Sequence, residues 1–187
     1  LKLEAIKIGD SPPAPLLTLI VGPSEEGIEV GKAKKEIAER YQIREKFWTQ
    51  LLETAKEKSR LHANISPNRH NWLGASAGKQ GLGFNYSLRK NEAQVELYLD
   101  RGKEKEDENI IIFEKLVKEK EAIEKSFGDS LEWDRLETRR ACRIRKIIRE
   151  GGCHDAETKW PEIHASMVEA MIRLEKALKP YISRLNI

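Results

Sequence analysis

Cysteine is almost missing from this chain. Cys142 and Cys153 are the only two in 187 residues, too few for a disulfide scaffold. Long apolar runs are also missing, and none approaches the roughly 18 residues of a membrane span. Charge of one sign is not in excess either. Thirty-four Lys and Arg stand against 31 Asp and Glu, leaving a net charge of +3. That excludes a uniformly basic coat but leaves room for a local basic patch. No Cys-x-x-Cys or His-x-x-x-His pair occurs, and His62, His70, His154 and His164 are scattered. A zinc site is not expected from such spacing. Neither a Gly-x-Gly-x-x-Gly turn nor a Walker loop is present, so no nucleotide cofactor is expected. No signal-like segment follows Leu1. The expectation is a piece of a longer cytoplasmic protein.

What is present is charge in abundance. Asp, Glu, Lys and Arg make up 35% of the residues, against about 25% in an average soluble domain. Residues 1–31 differ from the remainder. Leu1 to Ile8 and Leu16 to Val21 read as strand-like stretches, separated by Ser11-Pro12-Pro13-Ala14-Pro15. So many prolines favour an extended, polyproline-like connector. Gly22-Pro23-Ser24 then breaks the pattern. This segment reads as a linker or tail of a missing N-terminal domain, and residues 32–187 as a single α+β domain.

Within 32–187 the periodicity alternates between helix and strand. Ile37, Tyr41, Trp48, Leu51, Leu52 and Ala55 form one stripe on a helix from Lys32 to Arg60. Residues 62–81 are rich in Asn, Ser and Gly and read as a long loop with a buried anchor at Trp72-Leu73. Leu82, Phe84, Tyr86 and Leu88 then share one strand face, as do Val95, Leu97 and Leu99. With a turn at Lys90-Asn91-Glu92 this predicts an antiparallel hairpin with one buried side. A second helix carries Phe113, Leu116, Val117 and Ile123 and stops at Gly128. Two further strands are expected, from Leu131 and from Ala141 to Ile148, with a turn around Glu137 and Thr138. Pro161 opens a last helix that Pro180 ends or kinks. The predicted fold is α+β: an antiparallel sheet of about four strands in two hairpins, with three main helices over its apolar face.

Particular strings are familiar. Asn64-Ile65-Ser66-Pro67 precedes Asn71-Trp72-Leu73, and Val95-Glu96-Leu97-Tyr98-Leu99-Asp100-Arg101-Gly102 closes the hairpin. Phe127-Gly128 precedes Leu131-Glu132-Trp133, and Trp160-Pro161-Glu162-Ile163 leads to Arg173-Leu174-Glu175 and Pro180. Together they resemble the prokaryotic family called domain of unknown function 4268, over roughly residues 40–185. In that family the domain often follows a restriction-endonuclease-like domain, and Ile8 to Pro15 is similar to such a junction. The resemblance implies a C-terminal domain of a nuclease-like protein. It carries over no catalytic residues.

The strongest chemical signal is basic. Arg135, Arg139, Arg140, Arg143, Arg145, Lys146 and Arg149 face one acid, Glu137, in this stretch. On a strand Arg143, Arg145 and Arg149 share a side, where guanidinium groups can follow a phosphate backbone. Arg69 and Lys79, in the small-residue loop, are candidate helpers. The competing reading is a solvated face whose arginines pair with acids such as Glu96 and Asp100. Those two acids stand about 13 Å apart by strand rise, too far to share one metal ion. Hydrolysis therefore has little support. The expected function is a non-catalytic accessory domain that contacts nucleic acid, DNA being the candidate. The alternative is a protein-interaction or homodimerisation module without a membrane role.

Overall fold

The computed structural model describes residues 2–18, 25–136 and 139–186. They fall into two units, residues 1–40 and 41–187. In the first unit β1 (Lys2–Ile6) pairs with β2 (Ala14–Thr18) as an antiparallel hairpin. The proline stretch is therefore a turn entering a strand and not an extended connector. Pro15, opposite Ala5, is tolerated because both strands of a two-stranded sheet are edges. The expected break at Gly22-Pro23-Ser24, like the end of the run to Val21, lies outside the described residues. α1 (Glu25–Lys58) begins seven residues before the predicted start.

The second unit holds the larger sheet. β3 (Trp72–Ser76), β4 (Leu82–Leu88), β5 (Ala93–Leu99), β6 (Glu132–Asp134) and β7 (Cys142–Ile148) lie in the order β3-β4-β5-β7-β6, with every pairing antiparallel. The hairpin of β4 and β5 matches its sequence pattern, with Leu82 opposite Leu99 and Leu88 opposite Ala93. The sheet has five strands rather than four because β3 forms inside the segment read as a loop. Its buried anchor is Leu73, while Trp72 is half-exposed. The turn at Glu137 and Thr138 lies outside the described residues.

Alternation puts Leu73, Phe84, Tyr86, Val95, Leu97 and Ile144 on one face, all buried. Helices cover that face. Phe47, Trp48, Leu51 and Leu52 of α1 are fully or nearly buried, but Ile37 and Tyr41 are exposed, so only the later part of the predicted stripe is core. Phe47 meets the rings of Trp48 and Trp160 edge-on. Trp48 Nε1 donates to the His70 carbonyl at 2.9 Å, which pins the segment before β3. The single predicted helix after the hairpin is two, α2 (Glu106–Val117) and α3 (Lys120–Phe127). At the join the Glu119 N–H bonds the Leu116 carbonyl, a tightened three-residue turn in place of an α-helical link. Gly128 ends α3 at φ 82, a left-handed conformation that only glycine takes freely.

α4 (Trp160–Ser183) packs against β4, β5 and β7. It runs through Pro180, whose missing N–H falls in the last turn. A fully buried side chain such as Leu97 or Leu174 contributes about 1.5–3 kcal/mol. Much of the burial energy therefore lies on this face. His62 and His164 are both buried here: His62 sits 3.1 Å from the Phe84 carbonyl and His164 packs on Phe47. Among the described residues no three His, Cys, Asp or Glu side chains gather closely enough to hold a metal ion. No helix of the described residues is long and apolar enough to cross a membrane.

Candidate functional site on the open sheet face

The face away from the helices is built from polar side chains in registered rows. One row crosses all five strands: Gly74, Asn85, Glu96, Arg145 and Glu132. The next runs Ser76, Gly83, Tyr98, Arg143 and Asp134. A third runs Trp72, Ser87, Gln94 and Ile147. Neighbouring strands stand about 4.8 Å apart, so the first two rows place opposite charges within reach of one another.

Most of the predicted arginines are engaged. Arg145 donates to Glu132 at 2.8 Å and to the Gln94 side-chain oxygen at 3.1 Å. Arg143 meets Asp134 at 2.8 Å. Arg140 grips Asp100 through two bonds of 2.8 and 3.0 Å, and this holds the Asp100 carboxyl below its usual range. The pairing acids come chiefly from β6, because each lies directly opposite its arginine. Asp100, one of the two acids expected to pair, does so; Glu96 stays on the sheet floor. Arg69, in the segment before β3, bonds Glu45 of α1 at 3.0 Å. Arg149 is exposed just past the end of β7.

The residues that come together do so around Glu96. A cleft of about 460 Å³ opens on this face, with Asn85, Glu96 and Ser87 at its floor. Trp72 and Tyr98 contribute rings, and Arg89, Arg139 and Arg143 bring three guanidinium groups. Of the predicted site residues only Arg143 lines it. Lys79 lines an adjoining hollow of about 360 Å³ that shares Trp72, Asn85 and Tyr98. Arg145, Arg149 and Arg69 line neither.

Glu96 is 7% exposed. Burial pushes its carboxyl up, while Arg143, the Asn85 amide, Arg145 and Arg89 pull it back down. Asn85 reaches it across the β4–β5 register and is itself buried. Asn85 finds this room because Gly74 and Gly83 flank it: a β-carbon on Gly74 would collide with the Asn85 side-chain oxygen. Burial also raises the Tyr98 phenol.

The cleft's far wall comes from Leu136 and Arg139, in the connection between β6 and β7. Leu136 has φ 50, a left-handed conformation that costs a branched residue about 1–2 kcal/mol. Its N–H is held by the Asp134 carboxylate at 2.9 Å, and its carbonyl accepts from the Arg139 N–H. Strain of this kind gathers at binding sites. Among the described residues no carboxylate pairs with Arg139. Arg89 is not singled out in the sequence, Arg139 reads there only as part of the basic segment, and Trp72 only as a buried anchor. Their signal was tertiary, since they lie in a turn, a connection and an edge strand.

A family model described as Domain of unknown function (DUF4268) matches residues 43–182. No curated protein and no solved structure matches the chain.

Proposed function

We propose, for a chain that belongs to the DUF4268 family, that the open sheet face holds nucleic acid without cutting it. On this reading the domain is an accessory part of a nuclease-like prokaryotic protein, with a preceding domain in the same chain. The similarity of Ile8 to Pro15 to the end of a nuclease domain supports that placement.

One observation carries the reading. Three guanidinium groups, those of Arg89, Arg139 and Arg143, converge on a polar cleft beside the exposed ring of Trp72. Guanidinium groups bind phosphate oxygens, often bidentately, and an exposed indole gives a base a surface to stack on. Arg143 remains in the reading, with Lys79 extending the strip into the adjoining hollow. Arg145 becomes a positioning residue, because it lines neither hollow and its fork is filled by Glu132 and Gln94.

Anisotropy titration of labelled single- and double-stranded DNA and RNA at two salt concentrations tests this. Binding that weakens with salt and drops in Arg89→Ala plus Arg139→Ala supports it. Absence of binding at low salt contradicts it.

A second reading, an interaction or homodimer module, is favoured by Ile37, Tyr41 and Ile43 of α1, each about two-fifths exposed. Concentration-dependent sedimentation abolished by Tyr41→Glu supports that reading.

A further inference from the structure

The phosphate-binding reading leaves one group unused. Glu96 is a carboxylate at the floor of a cleft rimmed by cations, and a phosphate has no use for it. Its place there is nonetheless specified. It sits on the central strand of the sheet, 7% exposed, with the Asn85 amide bonded to it. Asn85 in turn occupies space that Gly74 leaves open. A carboxylate accepts at roughly four lone-pair positions, and Asn85 fills one. Glu96 is itself one of the residues that line the cleft.

The surroundings define what fits. The ligand presents paired hydrogen-bond donors to Glu96, a flat face to Trp72, and negative charge to Arg89, Arg139 and Arg143. Gly74 brings the parts together: the Trp72 ring and the Asn85 oxygen both approach its Cα within contact distance of where a β-carbon would stand. The stacking surface and the carboxylate-bearing floor are therefore adjacent. A nucleotide has this division of charge. Among the bases, guanine offers two neighbouring donors, N1–H and the N2 amino group, which match the two oxygens of one carboxylate. Cytosine and adenine each set an acceptor beside their amino group, and thymine flanks its one donor with acceptors.

We infer that the cleft takes one unstacked guanine of a single strand, its edge on Glu96, its face on Trp72 and its phosphates toward Arg89, Arg139 and Arg143. This rests on the proposed nucleic-acid role and deepens it from backbone contact to base selection. The ionised carboxylate is the competent form; burial raises its pKa, and Arg143, the Asn85 amide, Arg145 and Arg89 oppose that rise.

The test uses short labelled DNA strands, an all-thymine nonamer and the same strand with adenine, cytosine or guanine at its centre. The full chain is expected to bind the guanine strand about tenfold more tightly than the all-thymine strand. Glu96→Gln removes that preference, because its amide offers a donor where guanine also offers one. Trp72→Ala, at a half-exposed edge position, weakens binding of every strand. Equal affinity for all four strands, or a guanine preference that survives in folded Glu96→Gln, overturns the base-selection inference while leaving the backbone-holding role in place. Binding of none of the strands at low salt overturns both. Circular dichroism confirms that each variant is folded.

Discussion

The side-chain oxygen of Asn85 occupies the space that a β-carbon on Gly74 would need. The two residues stand opposite each other in the β3–β4 register. This contact lets Asn85 lie flat on the sheet and reach Glu96, so a residue without a side chain shapes the cleft floor.

Gly74→Ala is therefore expected to force the Asn85 amide away. Overpacking of this kind costs about 1–3 kcal/mol. Asn85→Ala alone loses the hydrogen bond to Glu96. The double variant is expected to be more stable than the sum of the single changes allows. A double-mutant cycle by chemical denaturation reads the coupling, and strict additivity contradicts the contact.

Arg145 and Arg139 belong to one basic segment but are expected to fail differently. Arg145→Ala removes the bonds to Glu132 and to the Gln94 side-chain oxygen, while the Gln94 amide nitrogen keeps its bond to Glu92. β6 has only three residues, so its attachment depends on such cross-strand pairs. The expected cost is about 1–2 kcal/mol of stability, with little change in affinity for nucleic acid. Arg139→Ala, at an exposed position, is expected to do the reverse. Thermal denaturation beside anisotropy separates the two, and a larger affinity loss for Arg145→Ala counts against the assignment.

His164 predicts an acid weakness. Burial lowers its pKa from 6.5 to about 4, and its Nε2 has no hydrogen-bond partner among the described residues. The folded chain holds it neutral, whereas the unfolded chain protonates it below pH 6.5. Its contribution is fully present above that pH and is lost as pH falls toward 4. The total is about 3 kcal/mol. Unfolding midpoints between pH 7.5 and 4.5 are expected to fall more steeply for the wild type than for His164→Leu. Parallel curves contradict this account.

Gly128 ends α3 in the left-handed region. Gly128→Ala is expected to cost about 1 kcal/mol, seen as a lower melting temperature with unchanged binding. No change in stability contradicts the strained cap.

The hairpin of β4 and β5 was legible because its alternation is unbroken from Leu82 to Leu88 and again at Val95, Leu97 and Leu99. β3 was not, because Gly74 and Ser76 look like loop residues and become strand only by pairing with Asn85 and Gly83. The Arg-rich strand was legible as basic. Its partners were not, since Glu132 and Asp134 meet Arg145 and Arg143 through a register that no local pattern specifies. Glu96 was legible as an outward acid, but its burial comes from neighbours on other strands. The exposure of Ile37 and Tyr41 shows the same limit: a stripe marks a potential core face, and only packing decides how much of it is covered.

The central claim is that the open sheet face is the binding surface. Heteronuclear NMR of the labelled chain, titrated with a short single-stranded oligonucleotide, tests it most directly. The account predicts shifts at Asn85, Glu96, Tyr98, Arg139 and Arg143 and at the Trp72 indole, with Val95 side-chain methyls and α4 unmoved. Shifts centred on α4 or on the exposed part of α1, with the sheet face silent, would contradict it.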